Sequence, residues 1–352
     1  MEFNKYEDNF IRKAKDNNYS SDEIDEMIKY AKVLHGKNVP IIFDSIHLSL
    51  ILGIDIGYLY TVSNSQKSFY RRFIIKKSDK TDRIIEEPLP ILKEIHMWIL
   101  ENILNSVSSS IYTKAFKKNL SIKDNARFHQ NQNIVICMDI KDYFGSIPEY
   151  KVYELFNKIG YSKQVSTLLA KLCCLNNSIP QGASTSPAIS NLVTIDMDTE
   201  LAKLAKMLST ESYNVRYTRY ADDITFSGKS IDKDYLINSV NKIVKRFDFK
   251  LNTKKTRVLG RNSRQLVTGI VVNKKMQVSR NKRRELRANM YFINKFGIED
   301  HMKTKKITES KKEYIRKLLG IVNFVLFVNP KDVEFINYKR ILNELYNLNK
   351  LS

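Results

Sequence analysis

Residues Arg216 to Gly228 read RYTRYADDITFSG, with apolar and polar side chains alternating on both sides of two adjacent acids, Asp222 and Asp223. A period of two marks a half-buried strand, and two such runs around a short reversal make a β-hairpin. The chain must therefore build a sheet here and carry two carboxylates at one turn of it. Carboxylates that close repel each other unless a cation joins them. Mg²⁺, a hard cation that takes carboxylate oxygens and keeps positions open for water or phosphate, is the natural occupant. A solvated acidic turn is the plain alternative.

A second element weighs against that alternative. In NIVICMDIKDYFGSI, an apolar β-branched strand ends at Asp139, and Tyr143 and Phe144 follow. An acid at a strand end lies at the edge of a sheet, where it can complete a site with Asp222 and Asp223. Three carboxylates can hold two Mg²⁺ ions, the arrangement that clamps attacking and leaving oxygens in phosphoryl transfer.

Charge points to the substrate. Lys and Arg number 59 against 38 Asp and Glu, a net charge of +21, which suggests a polyanionic partner, nucleic acid first. Only three cysteines occur, Cys137, Cys173 and Cys174, with no CxxC pair. Neither a disulfide framework nor a zinc site is expected, and a reducing cytoplasm fits. The start, MEFNKYEDNF, has no apolar signal core, and IVNFVLFVNP is too short to cross a bilayer and reads as a buried helix, so no membrane association is expected.

The periodicities place these elements. Residues 1–65 read as helices, the second with an N-cap at Ser21 and its end at Gly36. YRRFIIKK and RIIEEP around SDKTD predict a basic hairpin. LKEIHMWILENIL, KVYELFNKIGY, KQVSTLLAKLCCL and YLINSVNKIVKRFDF predict helices, and SPAISNLVTIDMDTELAKLAKML one long helix. RQLVTGIVVNKKMQV predicts a second hairpin, and the remainder is helical. Mixed strands and helices in this order make an α+β body with a basic helical C-terminal piece.

The ordered motifs resemble those of the palm-domain reverse transcriptases. YADD (Tyr220 to Asp223) is similar to their metal-binding hairpin, and DIKDYF (Asp139 to Phe144) to their first metal motif. IPQGASTSP (Ile179 to Pro187) is similar to the loop beside template and incoming nucleotide, and LNTKKT (Leu251 to Thr256) to the element after the palm helix. NARFH (Asn125 to His129) and VTG (Val267 to Gly269) match elements of the bacterial retron type. The likeness spans roughly residues 45 to 330. Two positions depart from the pattern: Ala115 and Gly145 stand where the family has Gly and Pro.

The resemblance implies a right-hand polymerase fold with residues 1–65 as an N-terminal helical region, 66–275 as fingers and palm, and 276–352 as a basic helical thumb. It implies that Asp139, Asp222 and Asp223 hold two Mg²⁺, with the backbone carbonyl of Ile140 as a further ligand. Phe144 would lie under the sugar of the incoming nucleotide and exclude a 2′-hydroxyl. Gln181 and Gly182 would lie against the nascent base pair. Lys76, Lys77 and Arg83 would hold the triphosphate as charge-assisted donors, and Lys255 would approach the pyrophosphate. Asn125 and His129 would brace RNA or a loop, and Val267, Thr268 and Gly269 lie where the family grips the primer end. From Arg280 to Lys317 there are 13 Lys and Arg and 5 acids. In a thumb, Lys282, Arg283, Arg284 and Arg287 would grip phosphates.

The activity so implied is RNA-directed DNA polymerisation by a retron enzyme in the bacterial cytoplasm. It would use deoxynucleoside triphosphates to copy its cognate structured non-coding RNA, priming from a guanosine 2′-hydroxyl to give branched RNA–DNA (msDNA). A host ribonuclease H would remove template, and a separate effector protein would complete an antiphage system. The alternatives are another bacterial reverse transcriptase, of abortive-infection or group II intron type, and a non-catalytic RNA-binding scaffold. NARFH and VTG argue against the first, the acid triad against the second.

Overall fold

The computed structural model describes residues 3–76 and 82–348. In chain order the helices and strands are α1 (Phe3–Asp16), α2 (Ser21–Gly36), α3 (Ser45–Leu52), α4 (Ile56–Asn64), β1 (Tyr70–Lys76), β2 (Asp82–Pro88), α5 (Pro90–Asn102), α6 (Ile122–Phe128) and β3 (Ile134–Asp139). There follow α7 (Glu149–Ile159), α8 (Lys163–Cys173), α9 (Ser186–Val193), α10 (Ile195–Met207), β4 (Arg216–Tyr220), β5 (Asp223–Gly228), α11 (Lys233–Arg246), β6 (Arg257–Gly260), β7 (Leu266–Val267) and β8 (Ile270–Val271). The chain closes with α12 (Arg280–Phe296), α13 (Ile298–Thr304), α14 (Lys311–Val328) and α15 (Val333–Leu348). Among the described residues no single helix is long and apolar enough to cross a membrane.

The chain divides into two compact units. One comprises Met1–Phe116, Ile140–Leu201 and Val240–Leu251. Its helix α2 is capped one residue earlier than the sequence suggests: Ser20, not Ser21, is the N-cap. The Ser20 hydroxyl accepts from the Glu23 amide at 3.3 Å while the Glu23 carboxylate accepts from the Ser20 amide at 2.9 Å. Ile24, Ile28, Ala31 and Leu34 then follow at helical spacing and are buried. The predicted basic hairpin forms as β1 paired antiparallel with β2, from Tyr70 opposite Pro88 to Lys76 opposite Asp82. The predicted single helix after Pro187 is instead two, α9 and α10, parted at Thr194. The Thr194 hydroxyl donates back to the Ser190 carbonyl at 2.7 Å, a bond that bends a helix at its own position.

The other unit comprises Lys117–Asp139, Ala202–Ser239 and Asn252–Ser352. Its antiparallel sheet has the order β4-β5-β3-β6. The β-branched run Ile134 to Ile136, continued by apolar Cys137 and Met138, suits the central place of β3, paired on both edges. Val135 and Cys137 of β3 share one apolar core with Ala126 of α6, Val267 and Ile270 of the β7–β8 hairpin, Leu286, Met290 and Ile293 of α12, and Ile315, Leu318, Val322 and Val325 of α14. The apolar run ending at Val328 is helical, the end of α14, but it buries one face only: Val322, Val325 and Val328 enter the core while Phe327 is exposed.

Candidate active site

In the second unit the register of the sheet fixes the acids. β3 and β5 pair so that Asp139 stands directly opposite Asp223, and β4 pairs with β5 so that Tyr220 stands opposite Asp223. The β4–β5 reversal is therefore two residues long, Ala221 and Asp222. Such turns need a positive φ at the first central position, and Ala221 has φ 55°. Arg219, fully buried, donates from Nη1 to the Ala221 carbonyl at 3.0 Å, so a charged group beneath the turn holds its backbone in this uncommon conformation.

Electrostatics set the pair apart from an ordinary surface turn. Burial, then the nearby Asp222 and Asp139 carboxylates, push the Asp223 carboxyl up to about 6, with Arg257 and Lys255 opposing them. Lys255 donates from Nζ to Asp139 Oδ2 at 2.9 Å, and this bond, with the three acids, raises its own pKa. A cleft of ≈340 Å³ opens here, lined by Met138, Asp139, Asp223, Lys254, Lys255 and Arg257 among others. Acids facing one another with cations at the rim suit an ion and an anion bound together. Among the described residues no three His, Cys, Asp or Glu close into a metal cage by themselves. Mg²⁺ in phosphoryl-transfer sites is held by one or two carboxylates together with substrate phosphates, and the facing Asp139 and Asp223 fit that mode.

NARFH and VTG acquire a role that corrects the nucleic-acid assignment of three residues. Asn125, His129 and Val267 are buried, so their side chains do not reach a nucleic acid. The two polar ones belong to a single chain of hydrogen bonds. Thr218 of β4 donates to Asn125 Oδ1 at 2.6 Å; its hydroxyl oxygen then accepts from His129 Nε2 at 2.7 Å. His129 Nδ1 meets the Ser227 hydroxyl of β5 at 2.8 Å. Asn125 Nδ2 reaches Thr268 Oγ1 at 3.5 Å, and the Thr268 hydroxyl donates to the Ile122 carbonyl at 3.3 Å. His129 thus clamps both strands of the acid hairpin, and Asn125 ties β4 to the β7–β8 turn. Thr268, half-buried, and Gly269, exposed, form that turn with φ 43° and 83°.

The basic helix α12 also needs correction. Arg283 bonds Asp332 at 2.5 Å and lies over the Phe335 ring, and Arg287 makes two 2.6 Å bonds to Glu334. Both guanidiniums fasten α12 to α15 instead of standing ready for phosphates. Lys282 and Arg284 are exposed.

The remaining assigned residues lie in the first unit. Tyr143 is core: it is buried and donates to the Ser190 carbonyl at 3.1 Å. Phe144 is half-exposed and shares an aromatic group with Tyr143 and Phe116, ring centres 5.5 and 6.3 Å away. Phe116 is 49% exposed at φ 56°, so the left-handed residue in this element is Phe116 and not Ala115. At Gly145 a Cβ would come within 2.5 Å of the Asp142 carboxylate, which leaves no room for proline. Gly182 is needed against protein: at φ 140° its Cβ would lie 2.6 Å from the Glu86 carbonyl of β2, while Glu86 donates its amide to Gln181 at 2.8 Å. Ile140 is buried and bridges Leu251. Lys76 and Arg83 are exposed on the β1–β2 hairpin, and Lys77 lies outside the described residues.

Sequence reasoning passed over Arg219, Arg257 and Phe116. The first leaves a sequence signal, an Arg two residues before the alanine of a hairpin that must be buried.

Known proteins are similar to this chain in sequence. A family model described as reverse transcriptase (RNA-dependent DNA polymerase) matches residues 75–288. The chain is 32% identical over 292 residues to the retron Ec86 reverse transcriptase of Escherichia coli, covering 80% of this chain and 84% of that protein. It is 31% identical over 296 residues to the retron Mx162 reverse transcriptase of Myxococcus xanthus, covering 74% of this chain and 58% of that one. Among solved structures, the foamy viral protease-reverse transcriptase aligns with a TM-score of 0.45 at 14% identity, over 100% of this chain and 56% of that one.

Proposed function

The chain belongs to the retron reverse transcriptases, RNA-directed DNA polymerases of right-hand α+β fold, and from that premise we propose that it copies part of one cognate structured non-coding RNA into msDNA. The observation that supports the catalytic assignment is Asp139 facing Asp223 across β3 and β5, with Lys255 bonded to Asp139.

In this reading residues 1–65 are an N-terminal helical region, 66–275 fingers and palm, and 276–352 the thumb. Asp139, Asp222 and Asp223, with the Ile140 carbonyl, offer the oxygens for two Mg²⁺ ions. Ions held there would supply Lewis-acid stabilisation of negative charge on the attacking 3′-oxygen and the α-phosphate. The new bond joins that oxygen to the α-phosphorus of a deoxynucleoside triphosphate, and the bond to the departing pyrophosphate breaks. Lys255 Nζ supplies positive charge and a proton beside the leaving oxygens. Phe144 covers the sugar edge, and Lys76 and Arg83 contribute charge toward the triphosphate. Synthesis starts at a guanosine 2′-hydroxyl of the same RNA, in the bacterial cytoplasm, and a host ribonuclease H trims the template. A separate effector completes an antiphage system.

Purifying the protein from its own locus and sequencing the bound nucleic acid after RNase treatment tests this. DNA joined to a single RNA species through a 2′–5′ branch is the expected result. Unbranched DNA, or RNA with no attached DNA, would exclude the retron reading.

A further inference from the structure

The C-terminal half of α12 leaves three aromatic rings in solvent. Tyr291 is 56% exposed, Phe292 43% and Phe296 51%. Helical spacing puts them on one face, away from Leu286, Met290 and Ile293, which enter the core. Lys295 stands among them: its Nζ lies 5.6 Å from the Tyr291 ring centre and 5.2 Å from that of Phe296, and it donates to Tyr291 Oη at 3.3 Å. Phe292 and Phe296 lie nearly parallel, 6.0 Å apart with 23° between planes. Phe292 backs in turn onto the buried His301 ring at 6.2 Å and 18°. The same face continues toward the helix start through exposed Ala288 and Arg284.

Three large rings in under two turns form an exposed patch of the kind that marks an interaction site. An apolar protein surface and a row of unpaired nucleobases would both cover it. The charges favour the bases. After Glu285 no acid occurs on α12, Lys295 stands between Phe292 and Phe296, and Arg284 lies two turns before Tyr291, all inside Arg280 to Lys317 with its 13 cations and 5 acids. Bases stack on aromatic faces while phosphates pair with neighbouring cations, and every base has a face to offer. Phe292 is held between Phe296 and His301 in near-parallel planes, and Tyr291 stands edge-on to it at 5.5 Å and 79°, so each ring is braced before any strand arrives.

We propose that Tyr291, Phe292 and Phe296, with Lys295 and Arg284, form a stacking platform for unpaired bases. The platform recognises single-strandedness and not sequence. Its assignment to segments of the cognate RNA rests on the reverse transcriptase reading, whereas the binding chemistry does not.

The test uses the full chain and the double variant Tyr291→Leu/Phe296→Leu. Leucine keeps apolar bulk and helix propensity but removes the flat face. The probes are a labelled 12-nucleotide oligouridylate and a strand of equal length with abasic sites, at one salt concentration. About tenfold weaker binding of the base-bearing strand, with the abasic strand unchanged within about twofold, is expected from one or two lost stacks. A thermal melt matching the wild type shows that the fold is kept. Equal losses on both strands would make the effect electrostatic and overturn the proposal. No loss on either would overturn it too and assign the face to a protein partner. Extension of a DNA primer on an RNA template by the wild-type protein tests the polymerase reading separately, so the two can fail independently.

Discussion

The β4–β5 and β7–β8 hairpins make different two-residue turns for different ends, the first with one central residue at positive φ and the second with two. Each reverses in two residues, and each begins that reversal with a non-glycine residue at positive φ, Ala221 at 55° and Thr268 at 43°. The second hairpin follows with Gly269 at φ 83°, the residue this kind of turn prefers. The first follows with Asp222. Asp222 is not at positive φ, so the position where glycine would ease this turn is Ala221, and the surrounding structure must hold it there. Arg219 holds its carbonyl from beneath and His129 ties its two strands. The second turn needs less, and its hydroxyl makes only the long bonds at 3.5 and 3.3 Å.

The sharpest way to break the comparison is at Asp223. Asp223→Asn is expected to lower DNA synthesis at least about a thousandfold, because several kcal/mol of charge stabilisation depends on that carboxylate. The same change should stabilise the protein in chelator at pH 7.5, by about 1–3 kcal/mol. The folded-state pKa of about 6 lies above the ordinary carboxylate value. Below about pH 4 the group is protonated folded or unfolded and costs nothing. As pH rises toward 6 the unfolded chain ionises first and folding loses stability; above 6 the cost is constant. Melts of both proteins from pH 4 to 8 in EDTA check this through their difference, which cancels the carboxylates common to both. A pH-independent difference would disprove the buried, repelled carboxyl.

The hydrogen-bonded chain from Ser227 to Thr268 comes next in size. His129→Leu leaves two buried hydroxyls without their shared partner and should cost about 2–4 kcal/mol. Thr268→Val, at the end with the longer bonds, leaves Asn125 Nδ2 without its acceptor and should cost less than His129→Leu, about 1–3 kcal/mol. Denaturant midpoints give both values. A larger loss at Thr268 than at His129 would show that the chain is anchored at the β7–β8 end and not at the acid hairpin.

Much of this architecture is legible in the sequence because period-two alternation and β-branched runs are local signals. They place β3, β4, β5 and the three acids without any knowledge of partners. What was hidden depends on residues far along the chain. Arg283 and Arg287 look like free cations until Asp332 and Glu334, 49 and 47 residues later, fold against them. Asn125 and His129 meet partners 89 to 143 residues away. The break at Thr194 depends on a side chain bonding back to its own helix, which propensity does not separate from a straight run.

The smallest effect should separate the two turns by sign. An alanine at left-handed φ costs roughly 1–2 kcal/mol, and glycine removes that cost while adding freedom to the unfolded chain worth about 0.4–1 kcal/mol. Ala221→Gly should therefore raise stability by up to about 1 kcal/mol. Synthesis should still fall a few-fold, since a looser turn aims Asp222 less well. Thr268→Gly relieves similar strain but removes the hydroxyl that closes the chain at Ile122 and leaves Asn125 Nδ2 without its acceptor, a loss of about 1–3 kcal/mol. It should lower stability. Denaturant midpoints of the two variants, measured beside primer extension, decide it. If both glycine variants shift stability in the same direction, the two turns are held by the same forces, and the division between a turn kept for its carboxylate and one kept for its hydroxyl does not stand.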